Sequence, residues 1–430
     1  MGTELLFVGD IHLGRRPTGL SEALAELGLE AHALSPAAAW AATVDRALAD
    51  RPAAVVLAGD VVEGERDRFE AFAHLERGVA RLTAAGVPVV GVAGNHDGHV
   101  LPRLASRIPA FRLLGAGGRW EALAVAEGVD LLGWSFPRRH VRDSPLAHPG
   151  LDEALAARSP GAAMLGVLHA DLDQAGSPYA PVGRAELERV PVDAWFAGHV
   201  HRPDALEGPR PLGYLGSLVG LDAGEPGWRG PWAVEVRGPG AVRARRLPGG
   251  PVRWEPLDVD LDDLDAPAEQ ALDALHARVH EAMRERARQD SLLADPGLRL
   301  VVARARLSGR PAHRGVARQL AALPVASRIL PVGPVPWLLE AVRDDTRPRL
   351  DLEALATRST PPGLLARRLL ALERGDPEAE AWLGGLDAHA ASHRAGGWAE
   401  VDAPLPAPRE VALRAGLRLL DALLETREVR

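Results

Sequence analysis

Five short apolar runs, rich in Val, Leu and Ala, each end on residues with ligating side chains. Residues 4–9 run into Asp10-Ile11-His12, and 53–59 into Asp60. Residues 87–94 run into Asn95-His96-Asp97, 163–168 into His169, and 193–198 into His199-Val200-His201. Continuous apolar runs of this length suit strands buried on both faces. Between them, 36–48 and 68–82 carry helical periodicity, and 183–190 reads as a short helix before the last of these strands. Strand, helix and strand in succession predict βαβ units, with helices flanking a central sheet.

From 211 to 260 the pattern changes to short strands and Gly/Pro turns. Residues 232–237, 241–247 and 252–261 read as antiparallel strands that close the same domain. The acidic stretch 262–267 marks a boundary. A helix over 268–289, a strand over 297–307 and a helix near 312–323 follow, predicting a small α+β cap over 263–345. Residues 346–430 are mainly helical, with 3.6-spaced apolar stripes over 362–373 and 410–425 and a Pro-rich linker at 403–409.

Open α/β sheets place ligands at the carboxyl ends of their strands. Taken singly, the polar residues there are weak signals: Asp10 or Asp60 serves equally as a turn or N-cap residue, and His169 as a core histidine. Five such clusters together point to metal chemistry. His199 and His201 alternate with Val200, so in an extended segment they face one side. Glycines before Asp60, Asn95 and His199 let backbone approach a crowded centre. Carboxylate, amide and imidazole donors without thiolate suit Mn²⁺, Fe²⁺, Zn²⁺ or Mg²⁺ rather than a soft metal. A ligand shared by two cations should be a carboxylate.

The order D-x-H, G-D, G-N-H-D, H, G-H-x-H resembles the calcineurin-like metallophosphoesterase superfamily. Within it the chain is similar to DNA-repair exonucleases of the SbcD type, and most to the YhaO branch. Segments 179–183 (TyrAlaProValGly) and 214–221 (TyrLeuGlySerLeuValGlyLeu) extend the likeness, which is dense over 4–220. One departure is clear: Asp60 is followed by Val-Val-Glu63, keeping an acid three residues on but lacking the Pro-Ser pair of SbcD-type chains.

The resemblance implies a four-layer α/β sandwich over 1–262, with central mixed sheets flanked by helices, followed by the cap and the helical region. It implies two metal ions, with Mn²⁺ preferred: Asp10, His12 and His201 on one, Asn95, His169 and His199 on the other, and Asp60 bridging. His96 is left to position the phosphate and protonate the leaving oxygen. Asp97 either orients His96 or caps the next helix. The implied substrate is DNA, with a homodimer and an SMC-like coiled-coil ATPase, docked on the C-terminal helices, as partners. The chain carries no G-x-x-x-x-G-K-[ST] phosphate loop of its own.

At 430 residues the chain is expected to hold two or three domains. Without Cys it has no disulfide framework. No apolar run approaches the roughly 20 residues of a membrane span, and no leader-like segment precedes the first strand, so a cytoplasmic location is expected. Every basic residue is arginine, and the net charge of −8 gives no basic footprint for nucleic acid. Bound cations would invert the field locally. Arg15-Arg16 and Arg138-Arg139 are candidate phosphate contacts, with a solvated surface as the plainer reading. His276 and His280, i and i+4 on one helix, read as a solvated face, as do His313, His389 and His393. Three functions remain: a Mn-dependent DNA exonuclease or endonuclease, a phosphodiesterase on a small diester, and a structural subunit of an ATPase complex.

Overall fold

The computed structural model describes residues 2–18, 20–64, 68–290, 295, 297–313, 315–347, 349–379, 381, 383 and 408–428. His389, His393 and nearly all of the 403–409 linker lie outside these. The described chain divides into two compact units. One comprises Met1–Val259, Leu275–Arg306 and Arg318–Arg343; the other comprises Asp260–Ala274, Leu307–Ala317 and Asp344–Arg430.

The strands of the first unit are β1 (Thr3–Val8), β2 (Val55–Ala58), β3 (Val89–Val92), β4 (Phe111–Leu113), β5 (Trp120–Ala126), β6 (Val129–Trp134), β7 (Ala163–His169), β8 (Ala194–Gly198), β9 (Leu212–Tyr214), β10 (Trp232–Val236) and β11 (Val242–Arg246). They form a six-stranded sheet, β11-β10-β1-β2-β3-β4, and a five-stranded sheet, β5-β6-β7-β8-β9. β1 to β4 run parallel and β10 and β11 close that sheet antiparallel, while β6 to β9 are parallel with β5 as the antiparallel edge.

Alternation along β1 shows how the layers arise. Leu5 and Phe7 join an apolar cluster with Val56, Val167 and Phe196, drawn from both sheets. Leu6 and Val8 join another with Trp40, Val44, Leu75 and Val79, from the helices Pro36–Asp50 and Arg68–Ala84. Successive strand residues face opposite sides, so each sheet is buried on both. Phe7 and Phe196 meet across the sheets at 4.3 Å between ring centroids. On the far side of the second sheet, Trp134, Leu168 and Trp195 pack with Leu155 and Leu187. Helix, sheet, sheet and helix give the mixed α/β layering expected of a metallophosphoesterase.

A third sheet follows in the order β12 (Val252–Asp260), β13 (Leu300–Ser308), β15 (Val335–Asp344), β14 (Ile329–Val332). The helix before β13 spans Ala271–Gln289. His276 and His280 on it do not simply face solvent: their Nε2 atoms lie 3.1 and 3.2 Å from the carbonyls of Ser327 and Pro331, which they can only meet as donors. The helix expected over 183–190 is only Arg184–Leu187. Pro191 ends it early by disfavouring helical geometry at Val190. In the second unit, helix Pro361–Arg374 packs on helix Pro408–Glu428, where Gly416 leaves room for Leu369. No helix among the described residues is long and apolar enough to cross a membrane.

Candidate metal centre

The five polar clusters converge. The carboxyl ends of β1, β2, β7 and β8 bring Asp10, His12 and His201 into one group and Asp60, His169 and His199 into another, with ligand atoms in each group within 4.8 Å of one another. Asn95 joins the second: its Oδ1 is 2.9 Å from His169 Nε2 and 3.0 Å from His199 Nδ1. Asp60 Oδ2 faces both, 3.8 Å from His12 Nε2 and 3.3 Å from His169 Nε2. In the first group His12 Nε2 and His201 Nε2 lie 3.0 Å apart.

Each histidine is fixed through its other nitrogen. His12 Nδ1 donates to Glu63 at 2.6 Å, His201 Nδ1 to Glu225 at 2.5 Å, His199 Nε2 meets Asp171 at 3.2 Å, and His169 Nδ1 donates to the Ala58 carbonyl at 3.2 Å. Such partners set the tautomer and leave the opposite lone pair facing the centre. Glu63 was noticeable in sequence as an acid three residues after Asp60. Asp171 and Glu225 were missed, because a lone loop carboxylate carries no periodic signal. The Glu63→Gln and Glu225→Gln proteins are each expected to bind divalent metal about 10- to 100-fold more weakly, read by metal titration with the fold unchanged.

A cation pair fits this donor set. Asp10 Oδ1 accepts from the His199 backbone at 2.9 Å, but Asp10 Oδ2 is buried with no partner among the described residues. An unpaired carboxylate oxygen facing two imidazoles is costly unless a positive charge sits there. Burial would push the Asp60 carboxyl up, yet His169, His12 and His96 hold it well below the usual carboxylate range. Burial works against the charged form of His169 too, but Asp60 and Asp10 override it and raise its pKa to about 9.

The backbone is strained where these ligands sit. His12, Asp60 and His199 have φ of 54°, 44° and 106°, a region that residues with a Cβ rarely adopt. Such strain is characteristic of functional sites. Gly94 shows the crowding: a Cβ there would collide with Asp60 Oδ1 and lie 2.6 Å from its backbone nitrogen. Gly94→Ala should therefore displace Asp60 and abolish tight metal binding, which metal analysis of the purified protein would show.

Asp97 does not orient His96. Its fully buried carboxylate accepts from the backbone of Gly94 at 2.8 Å, Val61 at 2.7 Å and Val62 at 3.2 Å. It ties the Asp60 loop to the Asn95 loop, while its carbonyl, not its side chain, accepts from Val100 and Leu101 at the next helix. Burial and nearby Asp60 push the Asp97 carboxyl up to about 7 against these backbone donors. Asp97→Asn turns an amide toward donors and should lower stability by about 2–4 kcal/mol, measured by denaturant unfolding.

His96 instead leans on Glu63. Its Nδ1 is 3.0 Å from the Glu63 carbonyl, which can only accept, so Nδ1 carries the proton. Nε2 makes no hydrogen bond among the described residues, and the side chain is 32% exposed. A substrate can reach it.

The candidate phosphate contacts divide. Arg15 Nε lies 3.9 Å from Glu63, beside the first group, and Arg16 lies 3.9 Å from Glu70. Arg138 and Arg139 are exposed on a loop joined through Val141 to Tyr179, whose ring is 5.0 Å from that of His199.

Residues 3–203 match the calcineurin-like phosphoesterase family. The chain is 25% identical over 283 residues to the uncharacterized metallophosphoesterase YhaO of Bacillus subtilis (strain 168), an alignment covering 61% of this chain and 65% of that relative. It thus spans a little under two thirds of that relative's length. Over 94 residues, 22% of this chain and 21% of the other, it is 34% identical to the DNA double-strand break repair protein Mre11 of Aeropyrum pernix. Among solved structures, a dimetal phosphatase from Danio rerio aligns over 57% of this chain and 99% of its own length, with TM-score 0.35 and 16% identity.

Proposed function

We propose that this protein is a dinuclear-metal phosphodiesterase acting on DNA, with Mn²⁺ as its preferred metal. One observation carries the reading: seven ligand-type residues from five strand ends converge, with the buried carboxylate of Asp60 facing both groups and one buried Asp10 oxygen lacking a partner among the described residues. Asp10, His12 and His201 would hold one ion, Asn95, His169 and His199 the other, and Asp60 both. When bound, such a pair supplies Lewis-acid stabilisation of the phosphoryl group and activates water at neutral pH.

The chain's own residues do the rest. Glu63, Glu225, Asp171 and the Ala58 carbonyl keep the four imidazoles aimed, so little reorganisation accompanies reaction. Asp97 holds the two central loops in register. His96, oriented by the Glu63 carbonyl, offers Nε2 to the phosphate and, when protonated, gives its proton to the leaving oxygen. Arg15, Arg138 and Arg139 are proposed to meet flanking phosphates.

The likeness to Mre11, although confined to 94 residues, favours DNA as the substrate. The net charge of −8 favours a small diester. Incubating the protein and Mn²⁺ with end-labelled single- and double-stranded DNA, beside bis-p-nitrophenyl phosphate, separates them. Cleavage of DNA that chelator abolishes and Mn²⁺ restores is the expected result. Hydrolysis of the small diester alone would transfer the assignment to the second substrate.

A further inference from the structure

A series of ring contacts leads from the ligand cluster to the surface. The Tyr179 ring lies 5.0 Å from that of His199, inclined at 46°, and 5.6 Å from that of His140, inclined at 35°. Both spacings fall within the roughly 4.5–7 Å of attractive aromatic pairs. His199 and Tyr179 are half-buried, and His140 is exposed.

Tyr179 is held firmly in this series. Its carbonyl accepts from the Asp171 backbone at 2.9 Å, and its N–H donates to Ser177 Oγ at 3.1 Å. The residues on either side are stitched to the loop of His140: Val141 N–H donates to the Pro178 carbonyl at 2.8 Å, and Ala180 N–H to the Val141 carbonyl at 2.7 Å. Ala180 is fully buried at φ 51°, a conformation that a residue with a Cβ keeps only when its surroundings enforce it. Ser177 donates in turn to one oxygen of Asp171, whose other oxygen lies 3.2 Å from His199 Nε2. One network therefore sets the tyrosine and the ligand imidazole together.

Around His140 the charge runs against that of the whole chain. Arg138, Arg139 and Arg142 are exposed beside a single acid, Asp143, in a protein of net charge −8. Arg138 Nε donates to the His140 carbonyl at 3.1 Å, which braces the loop. Exposed rings next to guanidinium groups, at the rim of a phosphoryl site, suit a nucleotide: its base stacks on rings while cations meet its backbone. An alkyl group on the phosphate offers nothing to such rings.

We propose that Tyr179 and His140 form a stacking platform for the base of the nucleotide whose phosphate is held at the metal centre. The two would then be specificity-determining residues of that site. The inference rests on the phosphodiester reading given above and adds the base as the group recognised.

Two p-nitrophenyl esters that differ by the base alone test it: the 5′-(p-nitrophenyl phosphate) of thymidine and that of abasic 1,2-dideoxyribose. With Mn²⁺ the base-bearing ester should show about tenfold higher kcat/KM. Both release p-nitrophenolate at one centre, so damage to that centre divides out of the ratio. His140→Ala, at an exposed position, should lower the ratio several-fold, and Tyr179→Leu should bring it to about one. Tyr179→Phe keeps the ring and should keep the ratio; loss of the ratio there would assign recognition to the hydroxyl and overturn stacking. Equilibrium dialysis with thymidine 5′-phosphate and the abasic 5′-phosphate gives a readout without turnover, for which the same preference and the same losses are expected.

A ratio near one in the wild-type protein, or a ratio that both His140→Ala and Tyr179→Leu leave unchanged, would overturn the platform while hydrolysis itself stood. Should neither ester be hydrolysed, dialysis decides. Base-dependent binding would then keep the platform and sink the phosphodiesterase reading, and equal or absent binding would sink both.

Discussion

Asp60→Asn should cut kcat/KM for bis-p-nitrophenyl phosphate by on the order of 10³-fold and leave fewer than two metal ions per chain. The asparagine keeps size and one acceptor, so the hydrogen bond from the His96 backbone to Oδ1, 2.9 Å in the wild type, can persist and the fold should survive. What vanishes is the negative charge on Oδ2, the oxygen that faces His12 on one side and His169 on the other. Two cations close together repel strongly, and an anionic oxygen between them is the cheapest way to hold both. Those histidines already keep the carboxyl ionised far below its ordinary range. Metal content and kinetics on one preparation decide the matter. Two ions per chain with wild-type turnover in this variant would remove Asp60 from the bridging position.

His96→Gln should behave differently, keeping its metal while losing about 10²- to 10⁴-fold in kcat. His96 is not in either principal ligand group. It stands with His12 and Glu63 in a third, its ring edge-on to that of His12 at 5.1 Å, with no hydrogen bond at Nε2 among the described residues. Proton donation matters most when the departing oxygen is basic, so the loss should be larger on a poor leaving group, such as a deoxyribose hydroxyl, than on p-nitrophenolate. Stripping of metal from this variant, or an equal loss on both substrates, would show that His96 is a ligand or a steric element instead.

Much of this was legible in the chain because strands buried on both faces have a loud signature. β1, β2, β3, β7 and β8 appear as apolar runs, and each delivers its polar residues to the same edge since parallel strands share a direction. β4 and β5 were not read. β5, Trp-Glu-Ala-Leu-Ala-Val-Ala, is largely half-buried and rich in residues that favour helices, while β4 spans three residues. Glu225 and Asp171 escaped notice for a related reason, because their importance lies in which imidazole nitrogen they meet.

By itself the sequence determined the residue types, their order and their arrival at strand ends, since hydrophobic periodicity and loop composition are local properties of the chain. Only the tertiary structure decided that Asp97 clamps two loops rather than orienting His96, that Glu63 serves both His12 and His96, and that Asp10 keeps an oxygen without a partner. Those outcomes depend on distances between segments far apart in sequence. Hydrogen bonds and Coulomb forces act through space over a few ångströms, and no local pattern encodes them.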